Sequence, residues 1–182
     1  MRIAILLAAL AAPAGAVAQA GCPVTEAPAE AQSALIAQLR SADGPGQVRT
    51  LTGQLWALWL DAPDALAQDL LDRGMALREA FDFAGSRAVL TRLTDYCPDY
   101  AEGWNQRAFA AFLARDFEAS LADLERALAL NPEHVAALSG KGLTLLEMGR
   151  TAEGQAALRA ALELNPWLAE RRLLDDPPGT DL

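Results

Sequence analysis

The apolar residues of the chain recur at helical spacing, and then the whole block recurs. Leu124, Ala127, Leu128 and Leu130, followed by Asn131, return 34 residues later as Leu158, Ala161, Leu162 and Leu164, followed by Asn165. Steps of three and four positions place such residues on one face of an α-helix. Pro98, Pro132 and Pro166 keep the same stride, each closing one helix shortly before the next begins. A fixed period of this length marks stacked helix pairs, and it divides the chain into units 67–100, 101–134 and 135–168. Each unit is predicted to hold two antiparallel helices of roughly 13 residues, too short to persist alone in water. Their stability therefore has to come from burying shared faces between neighbours.

Residue types agree with this pattern. After residue 20 the only Val and Ile residues are Val24, Ile36, Val48, Val89 and Val135, too few to build a β-sheet core. Ala, Leu, Glu, Arg and Gln, all strong helix formers, dominate instead, so the predicted fold class is all-α. Asp82 and Asp116 are expected to cap the second helices of their units, as is Thr151 after Gly149 ends the helix before it.

Within each unit the positions can be read in turn. A large apolar residue comes first (Leu70, Trp104, Leu138), then a small one four residues on where paired helices approach closely (Gly74, Ala108, Gly142). A second small residue (Ser86, Ser120, Gly154) and a Leu four further (Leu90, Leu124, Leu158) follow on the second helix. The next small site holds Ala127 and Ala161, with Leu93 in its place in the first unit. Ala111 underfills a site that Leu77 and Leu145 occupy, a shortfall that Phe109 or Phe112 is expected to make good. This set of positions resembles the tetratricopeptide repeat. The resemblance implies a right-handed α-solenoid whose first helices line a concave groove for a protein or peptide partner.

Residues 29–66 are expected to form a degenerate helix pair or N-terminal cap, with helices over Ala29 to Arg40 and Gln47 to Leu60. Ser41 to Gly46 is the turn between them. A capping helix is expected to begin at Trp167 and end near Leu174, with Arg171 and Arg172 in its last turn, followed by a disordered acidic tail to residue 182. Trp56, Trp59, Trp104 and Trp167 are all expected in the core.

Residues 1–20 read differently. Met1-Arg2, the apolar run Ile3 to Ala12 and the small residues Ala18 and Ala20 form a secretory signal pattern, with cleavage expected after Ala20 and a short lead over 21–28. The expected location is periplasmic or secreted. An alternative is lipid anchoring at an outer membrane, since Ala20-Gly21-Cys22 matches the end of a lipobox. Gln19 stands where that motif normally has an apolar residue.

Charge and chemistry narrow the function further. The 182 residues carry 24 acidic and 15 basic side chains, a net of -9, which argues against nucleic-acid binding. One histidine, His134, excludes His-rich metal sites; it is expected in a solvated turn. No metal, phosphate-loop or nucleophile motif is present. Asp61, Asp64, Asp69 and Asp72 read as a solvated acidic surface. The chain is thus expected to be non-catalytic, with no cofactor, no metal and no small-molecule substrate.

Helix pairs run out and back, so Cys22, ahead of the first pair, and Cys97, at the end of unit one, fall on the same edge of the solenoid. In an oxidising compartment a disulfide between them is one outcome; a free Cys97 or a lipidated Cys22 are the others. By register, the inward residues are Gln68, Leu71, Met75 and Arg78 in unit one, then Asn105, Phe109 and Phe112, then Ser139, Leu143 and Leu146. That apolar strip suits an amphipathic helix or extended peptide. The Lys/Asn carboxylate clamp of some family members is not matched, because Leu71 and Met75 occupy two of its positions.

Overall fold

The computed structural model describes residues 21–23 and 29–175. The expected signal segment, most of the lead and nearly all of the tail lie outside the described residues. Among the described residues the order is α1 (Ala29–Arg40), α2 (Pro45–Trp59), α3 (Ala65–Glu79), α4 (Phe83–Tyr96), α5 (Ala101–Leu113), α6 (Phe117–Leu130), α7 (Val135–Glu147) and α8 (Thr151–Leu164). There is no strand among them. No described helix is long and apolar enough to cross a membrane.

The pairs α3–α4, α5–α6 and α7–α8 pack as hairpins, and α4 packs on α5 and α6 on α7. This is a solenoid of stacked antiparallel helix pairs, each sheltering the apolar faces of its neighbours. Small residues set the spacing within a pair. A Cβ on Gly74 would lie 2.5 Å from Leu90 Cγ, and one on Gly142 would lie 2.6 Å from Leu158 Cγ. Ser86 Oγ donates to the Gly74 carbonyl at 2.8 Å, tying α4 to α3. Gly142→Ala is therefore expected to lower stability by about 1–2 kcal/mol, an overpacking cost partly offset by better helix propensity. Gly53→Ala on α2, where a Cβ meets nothing within 4 Å, is expected to raise it by up to ~1 kcal/mol. Thermal melts of the two variants check both signs.

Asp82 and Asp116 cap α4 and α6, accepting from the backbone N–H groups of Gly85 at 2.8 Å and Ala119 at 3.3 Å. Asp64 does the same for α3 through Ala67 at 2.8 Å. Its capping bond and the Tyr96 hydroxyl hold its carboxyl below the usual range. The expected cap at Thr151 is corrected: Arg150 holds that position and makes no side-chain capping bond. Gly149 turns α7 into α8 at φ 74°, while the equivalent turns of the first two units place Phe81 and Arg115 in the same left-handed region.

The N-terminal helix pair forms in the expected place, as α1 and α2. It does not stack end-on as a fourth unit: α2 makes little contact with α3, and α1 lies against α8 instead. Ile36, Leu39, Leu51, Leu55 and Trp59 form a core with Val135, rimmed by Leu164 and Leu168. Those three solenoid residues sit at the turns between units, so the hairpin is folded across the turn edge. The C-terminal cap is also corrected. Ala169–Leu173 is a five-residue 3₁₀ helix packed on α8, and Trp167 is 42% exposed rather than in the core.

Candidate functional site

Two regions carry unusual side-chain chemistry, and the first is the turn edge under the hairpin. His134 is 0% exposed, which corrects the solvated turn expected for it. The reason is tertiary: its ring stacks on Trp59 of α2, centroids 4.2 Å apart, so the hairpin covers a turn that would otherwise face water. His134 Nδ1 accepts from the Ala137 N–H at 3.3 Å and caps α7. The proton is thereby placed on Nε2, which faces Glu102 Oε2 at 2.8 Å.

Glu102, in the first turn of α5, is 2% exposed. Its carboxylate also accepts from Asn105 Nδ2 at 3.1 Å and from Gln106 Nε2. Gln106 Oε1 in turn receives the Arg78 guanidinium of α3. On the hairpin side, Trp59 Nε1 donates to Gln32 Oε1 at 2.7 Å, and Gln32 exchanges two bonds with Asn131, at 2.9 and 2.7 Å. A polar network thus runs from α3 through Glu102 and His134 into the hairpin. Ser33 to Glu133 (2.7 Å) and Arg40 to the Glu163 carbonyl (2.7 Å) add fastenings at its rim. Cys22 and Cys97 are joined in a disulfide with Cα atoms 5.0 Å apart, tying the lead to the same edge.

Tyr100 completes the edge, donating to the Trp59 carbonyl at 2.6 Å. Burial, helped by Glu102, Asp61 and Asp72, pushes its phenol well above the usual tyrosine range. A raised folded value means the neutral form is favoured by folding, so its contribution is complete below the unfolded value of about 10 and declines as pH climbs above it. Wild-type stability is expected to fall above about pH 10, and Tyr100→Phe to flatten that decline while losing the bond to Trp59. Urea titrations from neutral to alkaline pH check this.

A cavity of about 580 Å³ opens between the hairpin and this edge, lined by residues that include Trp59, Tyr96, Tyr100, Asp61 and Asp95. Two of its walls, Pro23 and Ala29, are joined by residues 24–28, which lie outside the described residues, so no ligand is assigned to it.

The second region is the face of the first helices. Phe109 is 46% exposed and Leu113 is also exposed. Gln68, Met75, Arg78, Phe112, Leu143 and Leu146 are half-buried. Leu71 is 0% exposed and belongs to the core with Leu90 and Leu93, while Asn105 is taken up by Glu102. Ser139 is likewise buried, its Oγ without a hydrogen-bond partner. These three are corrected from groove residues to buried ones: Leu71 packs against α4 and Ala110 of α5, Asn105 is bonded to the buried Glu102, and Ser139 is 5% exposed. Leu146 leans onto Gly154 of α8, and Phe112 packs on Phe117 with centroids 5.6 Å apart. What is exposed on this face is Phe109 and Leu113, with Met75 and Leu143 half-buried and Arg78 laid over the Phe109 ring at 4.7 Å. The sequence gives no signal for the Glu102–His134–Trp59 contact, since it joins residues of two different packing patterns. Metal-binding groups of three or more His, Cys, Asp or Glu are absent among the described residues.

Comparison with known proteins bears on both regions. Family models described as tetratricopeptide repeat match residues 101–134 and 135–166. A tetratricopeptide-repeat-containing protein of Rhizobium etli is 27% identical over 148 residues, covering 78% of this chain and 70% of that one. Among solved structures, the first such domain of Spaghetti, bound to the HSP90 peptide SRMEEVD, superposes with a TM-score of 0.56 at 24% identity over 57% of this chain and 82% of that one. The TPR2B domain of yeast Sti1, in complex with an Hsp70 peptide, gives 0.57 at 21% identity, over 62% of this chain and 92% of that one. A variant of MamA gives 0.52 at 19% identity, over 74% and 95%.

Proposed function

Because the chain carries tetratricopeptide repeats, matched directly over 101–134 and 135–166, we propose that it is a non-catalytic interaction module of the bacterial periplasm. Its partner is a peptide or helix received on the bare face of the first helices. The observation that carries this reading is Phe109: a large aromatic at the middle of the solenoid, 46% exposed, with the exposed Leu113 one turn further along α5. Apolar surface of this kind on a rigid helical frame is a cost in a free protein and an anchor in a complex. The hairpin supports the reading as well, since it is folded over the turn edge and leaves that face uncovered. Two of the solved structures that share the fold hold chaperone peptides, Spaghetti with an HSP90 peptide and Sti1 with an Hsp70 peptide.

Export is supported by the secretory pattern of residues 1–20 and by the Cys22–Cys97 disulfide, a bond that persists in oxidising compartments. The disulfide also speaks against the anchored alternative, because a Cys22 sulfur bonded to Cys97 has no valence left for a lipid thioether. Crosslinking pull-down from periplasm tests the module. Wild type is expected to recover a discrete partner that Phe109→Glu loses and Trp167→Glu, a change on the exposed far end, retains. Recovery unaltered by Phe109→Glu would remove the face from consideration. Mass spectrometry of the mature N-terminus tests the location: a free Gly21 is expected, and a diacylated Cys22 would favour the anchored form.

A further inference from the structure

We infer that the chain pairs with a second copy of itself along the edge opposite the hairpin, with Phe81 of each copy packed on Arg115 of the other. That edge is formed by the turns inside the units, between α3 and α4, α5 and α6, and α7 and α8. The stride sets these turns in a row: Phe81, Arg115 and Gly149 are 34 residues apart, each with a left-handed backbone, at φ 64°, 62° and 74°. Arg87 to Asp116 (2.8 Å) and Arg115 to Glu147 (3.7 Å) bridge neighbouring turns of the row. Glycine takes this conformation without strain, as Gly149 does, whereas a bulky aromatic does not. Phe81 is also 81% exposed, the most exposed large apolar side chain described. A strained backbone and a bare ring thus coincide at a residue that adds nothing to the core. Two such costs at one position point to a contact outside the chain.

Two features of the edge select a second copy as the occupant. The first is the pairing of rings with arginines. Phe109 lies under Arg78, Trp104 under Arg107 and Phe117 under Arg115, with the guanidinium carbons 4.7, 4.7 and 5.2 Å from the ring centres. Among the described residues no cation lies over Phe81, whose ring contact is Phe83 with centroids 6.2 Å apart. A guanidinium has two faces, and Phe117 covers only one face of Arg115, whose side chain is 75% exposed.

The second feature is charge. Phe81 is flanked by Glu79 and Asp82, both exposed and neither in an ion pair among the described residues. The next turn carries Arg115, while its own Asp116 is already held by Arg87. The pair of Arg115 with Glu147 is exposed and 3.7 Å long, and so weak. An acidic aromatic turn one unit away from a cationic turn is self-complementary. A two-fold axis between them sets each Phe81 turn against the Arg115 turn of the other copy, so the contact is made twice. The guanidinium then lies between Phe117 and the incoming Phe81, with the incoming Glu79 and Asp82 beside it. The contact is small, so a Kd of about 10–100 μM is expected. It lies away from the hairpin, and the reading of the first-helix face as a peptide site neither requires it nor falls with it.

Sedimentation equilibrium of the whole oxidised chain, at concentrations on both sides of that range, tests the pairing. Wild type is expected to pass from monomer to dimer. Phe81→Gly and Arg115→Gly are each expected to weaken the dimer by at least about tenfold in Kd. Both put at a left-handed position the residue that unit three uses there, so dilute samples are expected to melt no lower than wild type. Those melts separate loss of contact from loss of fold. An equimolar mixture of the two variants tests the two-fold geometry itself. Either variant alone lacks both copies of the contact. The mixed dimer regains one, Phe81 of the Arg115→Gly chain against Arg115 of the Phe81→Gly chain. The mixture is therefore expected to associate more tightly than either variant alone. A wild type that stays monomeric, a dimer indifferent to Phe81→Gly, or a mixture no tighter than its components would each overturn the pairing. Uptake of monomeric wild type by phosphatidylcholine vesicles, lost in Phe81→Gly, would overturn it too and give the edge to a lipid surface.

Discussion

Replacing Glu102 by Ala is expected to cost about 3–5 kcal/mol of folding stability, because it strips the acceptor from a buried polar cluster and leaves its donors stranded. Asn105, Gln106 and His134 each direct a bond at this one carboxylate, and all three are buried. The loss is a large share of the 5–15 kcal/mol that holds a domain of this size. Glu102→Gln is expected to cost less but to remain clearly destabilising, since its amide N–H groups confront donors where the carboxylate offered lone pairs. His134→Ala should show the same cluster from the other side, removing the cap on α7 and the stacking partner of Trp59. Because the two residues share a bond, their costs should be sub-additive in a double-mutant cycle. Urea unfolding followed by far-ultraviolet circular dichroism measures all four. A Glu102→Ala midpoint close to wild type would mean that the carboxylate is solvated and the hairpin not seated.

Loss of the disulfide is the second large effect. Cys22 and Cys97 are 75 residues apart, and releasing a loop of that length is expected to cost about 3–4 kcal/mol through the freedom regained by the unfolded chain. Cys97 is buried among Leu70, Leu90 and Leu93, so Cys22→Ala is the cleaner variant: it leaves that core side chain in place. Cys22→Ala should match wild type treated with reductant, and reductant should then have no further effect on the variant. A variant as stable as oxidised wild type would mean that the bond constrains nothing in the unfolded ensemble.

The parts of this molecule that were legible in the sequence are those in which a residue's role depends on its near neighbours. The stride of Pro98, Pro132 and Pro166 reflects turns that close the same way three times, and Gly74 and Gly142 stand where Leu90 and Leu158 press closest. Asp82 and Asp116 act within their own helix starts, so their caps could be read locally. The hairpin could not. Ile36, Leu39, Leu55 and Trp59 form an ordinary amphipathic pattern that fits a stacked unit as well as an edge-mounted one, and the choice is made by Val135, Leu164 and Leu168 far along the chain. His134 was misjudged for the same reason, as was Trp167 in the opposite sense. On the candidate face the register of Phe109 and Leu143 was readable. The burial of Leu71, Asn105 and Ser139 was not, because tertiary packing, such as that of Leu71 on Leu90 and Leu93, decides it rather than spacing along one helix.

The position of the hairpin is decisive: it buries His134 against Trp59, while Phe109 on the first-helix face stays exposed. Hydroxyl-radical footprinting of the oxidised chain, read residue by residue by mass spectrometry, tests it in one experiment. Phe109 and Trp167 are expected to be modified readily, while Trp59 and His134 remain protected until the chain unfolds. Trp59 and His134 labelled as fast as Trp167, or Phe109 as slow as Leu71, would contradict it.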